Sequence, residues 1–482
     1  MTTPPFDPVR PDIPLAPPPG CPAHAGSGAD GVVRLFGPGY EADPLRVFEQ
    51  LRAEHGAVAP VLLTGDLPGW LVLGYREILE VVRTPTRFSH DSRYWHQLKE
   101  GKVPADNPLL PVIGARPDRM TADGDEHRRL RDAVNDCLDR FDRRGVRRHV
   151  THFANQLIDD FSLDGGAELL DQFARQLPMS VLTQLLGMPE TYGPRLVEAA
   201  TELVKASDKA IASNDYIKEQ LAALLARKKE TPGSDLASWL IEHPAELTDD
   251  EIRNLLWLVL IAANENTSSL LASTLRMVLT DQRFRASLAG GQMTLPDAVE
   301  QVLWDDPPTI VIPARWATAD TELAGRPIRA GDMLLLGVAA GNIDPAVRPD
   351  LDAPMHGNRS HLSFSGGPHE CPGREIARAI ADTAIDALLL RLPDLRLAVP
   401  EGELRWRATT WTRHLVALPV EFTARTPVGD ALPEQTGLIP PRRPLETPRI
   451  RRSAPAVPEP AEPRTEPRRT WWDTVTGWFR GR

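Results

Sequence analysis

One long apolar segment constrains this chain more than any other feature of its sequence. It begins at Thr248-Asp-Asp-Glu251, a capping box in which a hydroxyl and a carboxylate satisfy backbone donors at a helix start. The apolar pattern then continues from Leu255 to Leu279, which predicts a helix roughly 45 to 50 Å long at 1.5 Å per residue. Because it is apolar on most sides, this helix is predicted to lie at the centre of a helical body.

Six consecutive polar residues interrupt the middle of this helix, Asn264-Glu-Asn-Thr-Ser-Ser269, directly after the small pair Ala262-Ala263. Two interpretations are open at this point. In the first, the hydroxyls and amides bond to carbonyls one turn back, and Glu265 finds a cationic partner. In the second, the polar stretch lines a wetted pocket beside the helix, which would mark a functional site.

The rest of the chain is predicted to be helical with minor sheets. Periodic segments separated by Gly, Pro or Asp predict further helices at 44–53, 128–140, 149–161, 166–186, 195–211 and 216–227. Strands are predicted at 58–74 around a turn at 65–69, and at 323–328, 333–338, 405–411 and 415–422. The predicted fold class is therefore mainly α with small β-sheets.

A glycine-dense loop carries a single cysteine just before another predicted helix, in Phe364-Ser-Gly-Gly-Pro-His-Glu-Cys-Pro-Gly373. A helix N-terminus lowers the pKa of a thiol and favours the thiolate, which suits a metal ligand. A phosphate loop fits poorly, because no Lys-Ser/Thr pair follows the glycines. A zinc site from His356, His361, His369 and Cys371 and a lone cysteine in a structural turn are the alternatives left open.

The whole pattern, Phe364-x-x-Gly367-x-His369-x-Cys371-x-Gly373 with Ala377, resembles the haem-thiolate signature of the cytochrome P-450 superfamily. The resemblance extends over residues 39 to 422, and the long helix resembles the family's oxygen-binding helix. It implies the cytochrome P-450 fold, a triangular helical body around a long central helix, and haem b as cofactor. It also implies that Cys371 is the axial ligand of the haem iron, that Phe364 packs over the thiolate, and that Gly367 and Gly373 let the loop approach the porphyrin and the sulfur. A thiolate ligand donates electron density that favours cleavage of the O–O bond.

Haem carries two propionates, and an apolar pocket must supply fixed donors for them. By the same resemblance, four side chains match the family's positions for this purpose: His127, Arg131, Arg315 and His369. His127 and Arg131 lie one helical turn apart and share a face, and Arg315 is predicted to lie on a strand. Ala263 of the long helix is expected to contact the cofactor.

One departure from the family pattern concerns an ion pair that helps to fix the ligand loop. Where the family carries Glu-x-x-Arg, this chain has Glu300-Gln-Val-Leu-Trp304, so Gln301 and Trp304 replace the two charged residues. In this it resembles a subgroup of actinobacterial members. We expect the scaffold role to survive in neutral form, because the indole can donate a hydrogen bond to the Gln oxygen or to a backbone carbonyl. Glu300 is not expected to restore the pair, since Leu303 would then take the Arg position.

A second departure lies in the long helix. The family commonly has an acid followed by Thr, the pair that relays protons to iron-bound dioxygen. Glu265 matches the acid, but Asn266 takes the Thr position and Thr267 follows about 100° further round the helix. Because an amide donates protons poorly, protons would come through ordered water, Thr267 or a substrate hydroxyl, or delivery would be inefficient and release peroxide. Glu265, Asn266 and Thr267 are the predicted catalytic residues.

Composition excludes several classes of protein. The 55 Lys and Arg against 66 Asp and Glu give a net charge of −11, which argues against a general nucleic-acid binder. Three Cys are too few and too scattered for a disulfide framework. Prolines and Asp7 interrupt any apolar signal segment at the start, and the run 255–263 is shorter than the ~20 residues of a membrane span. We therefore predict a cytoplasmic protein.

Prolines cluster at both ends of the chain and predict tails at 1–38 and 425–482, on either side of a haem-binding domain at 39–424. The C-terminal tail ends in residues 468–482, where arginines flank a cluster of Trp and Phe. Such a segment is typical of peripheral attachment to a membrane surface or of docking on a protein partner. A solvated tail with incidental aromatic residues is the alternative.

The predicted function is that of a haem-thiolate monooxygenase, which inserts one oxygen atom from O₂ into an apolar small molecule. By the resemblance, electrons come from a ferredoxin and its ferredoxin reductase. Arg128, Arg129, Arg374 and Arg378 are predicted to form the basic face on which this partner docks. Two alternatives keep the haem: a sensor or signalling component with weak or no monooxygenase activity, and a peroxide-driven haem-thiolate enzyme.

Overall fold

Helices form most of the structure, in agreement with the mainly α class predicted from the sequence. The computed structural model describes residues 32–105, 107, 109–114, 123–204, 209–281, 290–291, 293–355 and 357–429. Within these ranges the helices are α1 (Pro38–Ala42), α2 (Pro44–His55), α3 (Tyr75–Arg83), α4 (His96–Lys99), α5 (Leu110–Ile113), α6 (Gly124–Leu138), α7 (Arg143–Phe161), α8 (Gln176–Leu186), α9 (Gly193–Val204), α10 (Ala210–Glu230), α11 (Leu236–Ile241), α12 (Asp249–Thr280), α13 (Leu295–Asp305), α14 (Val338–Asn342) and α15 (Arg374–Arg391).

Small sheets accompany the helices. Their strands are β1 (Val33–Arg34), β2 (Val58–Leu63), β3 (Leu67–Val72), β4 (Phe88–Ser89), β5 (Gly166–Glu168), β6 (Ile312–Ala317), β7 (Thr321–Leu323), β8 (Arg326–Ile328), β9 (Met333–Leu336), β10 (Arg396–Leu397), β11 (Trp406–Ala408), β12 (Arg413–Leu415) and β13 (Pro419–Glu421). The largest sheet has the order β1-β2-β3-β9-β6-β4, and a second has the order β10-β13-β5. The strands β7 and β8 pair with each other, as do β11 and β12.

Helix α12 is the predicted central helix. The capping box of Thr248 and Glu251 is formed, and the helix packs against α8, α10, α13 and α15. Leu260 lies in a core shared with α8, α9 and α10, whereas Leu271 lies in a second core shared with α7 and α15. By length and hydropathy α12 would be able to cross a membrane, but these contacts make it the core helix of the helical body.

Strand β6 carries an irregularity that sets the direction of one arginine. Ile312 pairs with Leu336 of β9, but Arg315 pairs with Leu334, so β6 holds one residue more than its partner between these points. A bulge of this kind bends the strand and re-aims a side chain. The guanidinium of Arg315 donates back to the carbonyl of Ala314 at 3.0 Å.

The folded body begins before residue 39, the boundary predicted from the sequence. Val33 pairs with Val61 in the parallel strands β1 and β2, so residues 33–38 belong to the body rather than to a tail. A second prediction, of one helix over 166–186, is wrong at its start. Residues 166–168 form β5 instead, because their backbone groups pair with β13.

The folded body also extends beyond residue 424, the C-terminal boundary predicted from the sequence. The backbone N–H groups of Val428 and Gly429 donate to the carboxylate of Asp159 at 3.1 and 3.0 Å, which holds the chain on α7 through residue 429. The predicted tail segments 1–31 and 430–482 lie outside the described residues. Docking of residues 468–482 on a membrane or a partner therefore stays a prediction.

We expect Thr248→Ala to lower the free energy of unfolding by about 1 kcal/mol, because the hydroxyl accepts the N–H of Glu251 at the start of α12. Urea denaturation measures this change. The matched control is Thr231→Ala, at the C-terminal end of α10, where the residue is exposed and does not cap a helix start. Equal losses in the two variants would contradict the capping role.

Candidate functional site

The loop before α15 folds around its cysteine. Short turns at Leu362–Phe364 and Gly367–His369 precede Cys371, whose N–H donates to the carbonyl of Phe364 at 2.9 Å. Helix α15 then starts at Arg374. The loop thus presents the thiol at the N-terminal end of a helix, as the sequence predicts.

The structure gives a reason for a glycine at position 367 that the sequence did not reveal. Its φ of +65° favours glycine, and a Cβ there would lie 2.1 Å from the carbonyl oxygen of Val82 at the end of α3. The expected role of Gly367 was to let the loop approach a porphyrin, but the close contact observed is with α3. A Cβ on Gly373, by contrast, would meet nothing within 4 Å, so space is open beside that residue.

Burial dominates the electrostatics of the thiol. It raises the pKa of Cys371, although the N–H of Gly373 and the charges of Arg131 and Arg374 act in the opposite direction. The helix N-terminus does act to lower this pKa, as the sequence predicts, but desolvation of the thiolate outweighs it and the nearby positive groups, so the pKa is raised. Arg131 is nevertheless close enough for its charge to act on the sulfur.

The zinc alternative finds no support in the side-chain geometry. His361 hydrogen-bonds to Glu300 and His369 to Asp123, so neither of these rings is directed at Cys371. Among the described residues no three His, Cys, Asp or Glu side chains converge as metal ligands would. The fourth predicted ligand, at position 356, lies outside the described residues.

Three histidine rings and one carboxylate meet beside the ligand loop. The centroid of the His369 ring lies 3.9 Å from that of His127 and 4.6 Å from that of His90. The carboxylate of Asp123 lies 2.8 Å from His369 Nε2 and accepts the N–H of His90 at 2.8 Å and the hydroxyl of Ser89 at 2.5 Å. The structure therefore brings together His127 and His369, which the sequence predicted, with His90, which it missed.

The histidines of this cluster are held neutral. Burial, followed by the neighbouring His369 and Arg131, lowers the pKa of His127 to about 4. Burial and the charge of Arg315 likewise hold the pKa of His90 well below its ordinary value. At neutral pH the fixed positive charges nearby are therefore the guanidiniums of Arg131 and Arg315.

Arg315 is 3% exposed and has no carboxylate within ion-pair distance among the described residues. Burial lowers its pKa to about 10. Arg131 is likewise partly buried without a carboxylate partner in the described part of the chain, and Nδ1 of His90 lacks a hydrogen-bond partner there. Counted with the carboxylate of Asp123, whose charge also acts on Arg315, this set of donors keeps an excess of one positive charge, and its guanidiniums and imidazoles are suited to the carboxylates of a haem.

One face of α12 is open although the helix is central. Leu258 is 36% exposed and Ala262, one turn later, is also exposed. Ala263, predicted to contact the cofactor, is half-buried and packs partly against the core of α8, α9 and α10, next to the exposed Ala262, so its contact with the cofactor stays a prediction. Asn266 continues this face one turn further along, and its side chain is partly buried.

The amide of Asn266 is fixed at both ends. Its nitrogen donates to the carbonyl of Ala262 at 2.8 Å, and its oxygen accepts the hydroxyl of Thr309 at 2.8 Å. Thr267 is 3% exposed and lies in the packed interior, whereas Glu265 is half-buried. Thr309 was missed by the sequence analysis, because a single threonine in the loop after α13 gives no pattern.

The exchange of the Glu-x-x-Arg pair is visible in α13. Trp304 Nε1 donates to the carbonyl of Asn358 at 2.9 Å, and Gln301 Oε1 accepts the N–H of Met355 at 2.9 Å. The expected indole bond to a backbone carbonyl is therefore confirmed. Two neutral hydrogen bonds attach α13 to the segment that leads into the ligand loop.

The predicted docking face was wrong for Arg378, which is 8% exposed and pairs with a buried carboxylate. The side chains of Arg128, Arg129 and Arg374 are at least partly exposed, and each pairs with a carboxylate. Their docking role stays a prediction. The sequence alone does not single out Arg378, because its partner comes from a distant part of the chain.

Comparisons with known proteins agree with this geometry. No protein-family model matches the chain. It is 31% identical over 403 residues to the vitamin D(3) 25-hydroxylase of Pseudonocardia autotrophica, covering 81% of this chain and 97% of that protein. It is 31% identical over 402 residues to the cytochrome P450 monooxygenase PikC of Streptomyces venezuelae, covering 80% of this chain and 93% of that protein.

A solved structure extends the comparison. The myxobacterial cytochrome P450 CYP267B1, in complex with myristic acid, superimposes with a TM-score of 0.70 at 27% identity, covering 81% of this chain and 99% of that one. These relatives favour a monooxygenase over the sensor and the peroxide-driven alternatives. With the cysteine loop, the central helix and this degree of identity, the chain belongs to the cytochrome P450 superfamily and is a haem-thiolate monooxygenase of the bacterial kind.

Proposed function

We propose that this chain binds haem b with Cys371 as the axial thiolate ligand and that Arg315 holds one propionate. The observation that carries the proposal is the buried guanidinium of Arg315, which has no carboxylate partner among the described residues. An uncompensated buried charge is costly, so the site is suited to an anionic group. Arg131 and His127, one helical turn apart on α6, are suited to the second propionate. Bound haem supplies the iron at which dioxygen is reduced for transfer of one oxygen atom.

The substrate is an apolar small molecule that lies against the open face of α12, beside Leu258 and Ala262. The named hydroxylation of vitamin D(3) by one relative and the myristic acid bound to CYP267B1 support this chemical class. The overall reaction inserts one oxygen atom into a C–H or C=C bond. The other oxygen atom leaves as water, which consumes two electrons and two protons.

Proton supply at this face is limited by Asn266. The hydroxyl of Thr309 is directed at the amide oxygen, and the amide nitrogen is directed at the helix backbone, so neither group offers an acidic proton. Thr267 is buried in the packed interior. Glu265 is the acid of this stretch, and protons reach the face from it through water.

Electrons come from a ferredoxin-type partner with its reductase. Arg143 at the start of α7 and Arg374 at the start of α15 have side chains 79% and 43% exposed. Both helices start near the ligand loop. Arg143 Nη2 lies 3.5 Å from Oε2 of Glu375, which is in the first turn of α15. Exposed guanidiniums at this place would attract an acidic partner. A cytoplasmic location accords with such a soluble partner, and no nucleic acid is involved.

The reduced protein with carbon monoxide should give the red-shifted Soret band typical of thiolate ligation, because the proposed ligand is Cys371. Cys371→His should give the band of a neutral ligand. Absorption spectra of the purified proteins decide this. Cys137→Ala, in the core of α6, is the matched control and should keep the thiolate band. A thiolate band in Cys371→His would contradict the assignment.

Arg315→Leu should speed the loss of haem about tenfold or more, since a charge-assisted hydrogen bond contributes about 1.5–3 kcal/mol. The rate of haem transfer to excess apomyoglobin measures this loss. Arg326→Leu on β8, where the guanidinium donates to a backbone carbonyl at 2.9 Å, serves as control and should leave the rate unchanged. Equal rates in wild type and Arg315→Leu would refute the propionate contact.

Asn266→Thr should lower the fraction of electrons released as hydrogen peroxide severalfold, because a hydroxyl relays protons better than an amide. The assay compares peroxide formed with NADPH consumed, using a bacterial ferredoxin, its reductase and myristic acid as probe. Thr267→Val, at a buried position, should leave the fraction unchanged. A larger effect at Thr267 than at Asn266 would reverse the roles given to these residues.

A further inference from the structure

A buried carboxylate on α13 joins two segments that flank the ligand cysteine. Glu300 is 2% exposed, Arg378 of α15 is 8% exposed and His361 at the start of the ligand loop is 5% exposed. Arg378 Nε lies 2.5 Å from Glu300 Oε1, and Arg378 Nη2 lies 3.1 Å from Oε2. His361 Nε2 lies 3.1 Å from the same Oε2. We refer to these three residues as the Glu300 cluster.

The contacts of His361 fix its tautomer. Its Nδ1 accepts the N–H of Ser363 at 3.2 Å, so this nitrogen carries no proton. The proton therefore lies on Nε2, where it is donated to Glu300. Although burial alone would raise the pKa of Glu300, the hydrogen bonds from His361 and Arg378 lower it. The cluster thus contains one carboxylate, one guanidinium and one neutral imidazole, and its buried charges balance.

Two members of the cluster contact the ring of Phe364 in the ligand loop. The guanidinium of Arg378 lies over the ring of Phe364, 4.8 Å from its centroid, and the ring of His361 lies 5.5 Å from the same ring. Phe364 in turn accepts the N–H of Cys371 through its carbonyl. A chain of three contacts therefore connects the carboxylate of α13 to the backbone of the cysteine.

The neutral pair described above makes its hydrogen bonds ahead of the ligand loop. Gln301 and Trp304 bond to backbone groups of residues 355 and 358. The Trp304 ring also meets His361 edge-on, with 6.0 Å between the centroids, and so supports the cluster by packing rather than by charge. Among the described residues, the charged contact between α13 and the helix that follows the cysteine is made by Glu300, the residue that the sequence analysis set aside. Its partner was not a residue of α13 but Arg378, 78 positions later.

We propose that the Glu300 cluster positions the ligand loop of this chain, with Arg378 as the residue that holds Phe364 and Cys371 in place for the iron. The proposal rests on the proposed haem ligation and adds a positioning residue to it. Arg378 acts through Phe364 and the loop backbone. Its guanidinium is suited to this role because it binds a carboxylate with two nitrogens and stacks on an aromatic ring at the same time.

The test compares haem-loaded variants by the Soret band of the reduced protein with carbon monoxide and by the reduction potential. In Arg378→Met, the ratio of the thiolate-type to the neutral-ligand-type band should fall about tenfold. Loss of the guanidinium removes the two-nitrogen contact with Glu300, which keeps only Arg359 at 3.6 Å and His361 at 3.1 Å, and it removes the cation over the Phe364 ring. Arg378→Lys keeps the charge but loses the two-nitrogen and stacking contacts. Its ratio should lie between those of wild type and Arg378→Met.

The matched control is Arg147→Met. Arg147 of α7 pairs with Asp382, which lies on α15 one turn after Arg378, at 2.7 Å, so this variant removes another ion pair of the same helix. It should lower the thermal midpoint of unfolding without changing the band ratio or the potential. A purely structural role of Arg378 predicts the same result for Arg378→Met, and this outcome would overturn the proposal.

Two further outcomes keep the test decisive. If Arg378→Met does not fold, Arg378→Lys decides, and an unchanged band and potential in that variant would overturn the proposal. If wild type itself binds no haem or lacks the thiolate band, the proposed function fails and the positioning role fails with it. A thiolate band in wild type that Arg378→Met retains in full would overturn the positioning role alone and leave the proposed function standing.

Discussion

A buried guanidinium without an ion-paired carboxylate among the described residues sets the requirements of this site. Arg315 lies 3% exposed on β6, and its hydrogen bonds go to backbone carbonyls of its own strand. The charge of Asp123 acts on it, but burial still lowers its pKa, so a further anion would stabilise it. The bulge in β6 and the neutral His90 both bear on this charge. The proposed haem would therefore contribute to the electrostatic balance of the site as well as to its chemistry.

The Glu300 cluster differs from the region of Arg315 in its charge balance. There the chain supplies both signs of charge, and the carboxylate, guanidinium and neutral imidazole leave no charge for a ligand to balance. The Glu300 cluster is complete by itself, whereas the region of Arg315 is the one that we propose to take an anionic ligand. This difference separates scaffold from binding site more clearly than burial does, because Arg378 and Arg315 are both almost fully buried.

Local sequence signals predicted the parts of the structure that local interactions determine. The capping box at Thr248, the strands around 58–74 and the central position of α12 follow from spacing and composition within one segment. The indole bond of Trp304 was predicted because a buried N–H needs an acceptor. Resemblance to a family then gave Cys371, His127, His369 and Arg315.

The remaining site residues depend on tertiary packing and were not predictable in this way. Glu300 was set aside because its helix offers no arginine one turn later, yet its partner comes from α15. His90 and Thr309 each stand alone in a loop or at a strand end, where no periodicity marks them. Packing also alters the electrostatics expected from the sequence, since burial raises the pKa of Cys371.

One short stretch of backbone, from the end of α13 into β6, carries two residues with different roles. Thr309 holds the amide on the open face of α12, and Arg315 follows six residues later behind the bulge. A substitution at Thr309 that shifts this backbone would also shift the strand that carries Arg315. With the roles proposed above, substrate preference and cofactor retention are then coupled through this segment, which restricts the routes by which this enzyme can evolve new substrates.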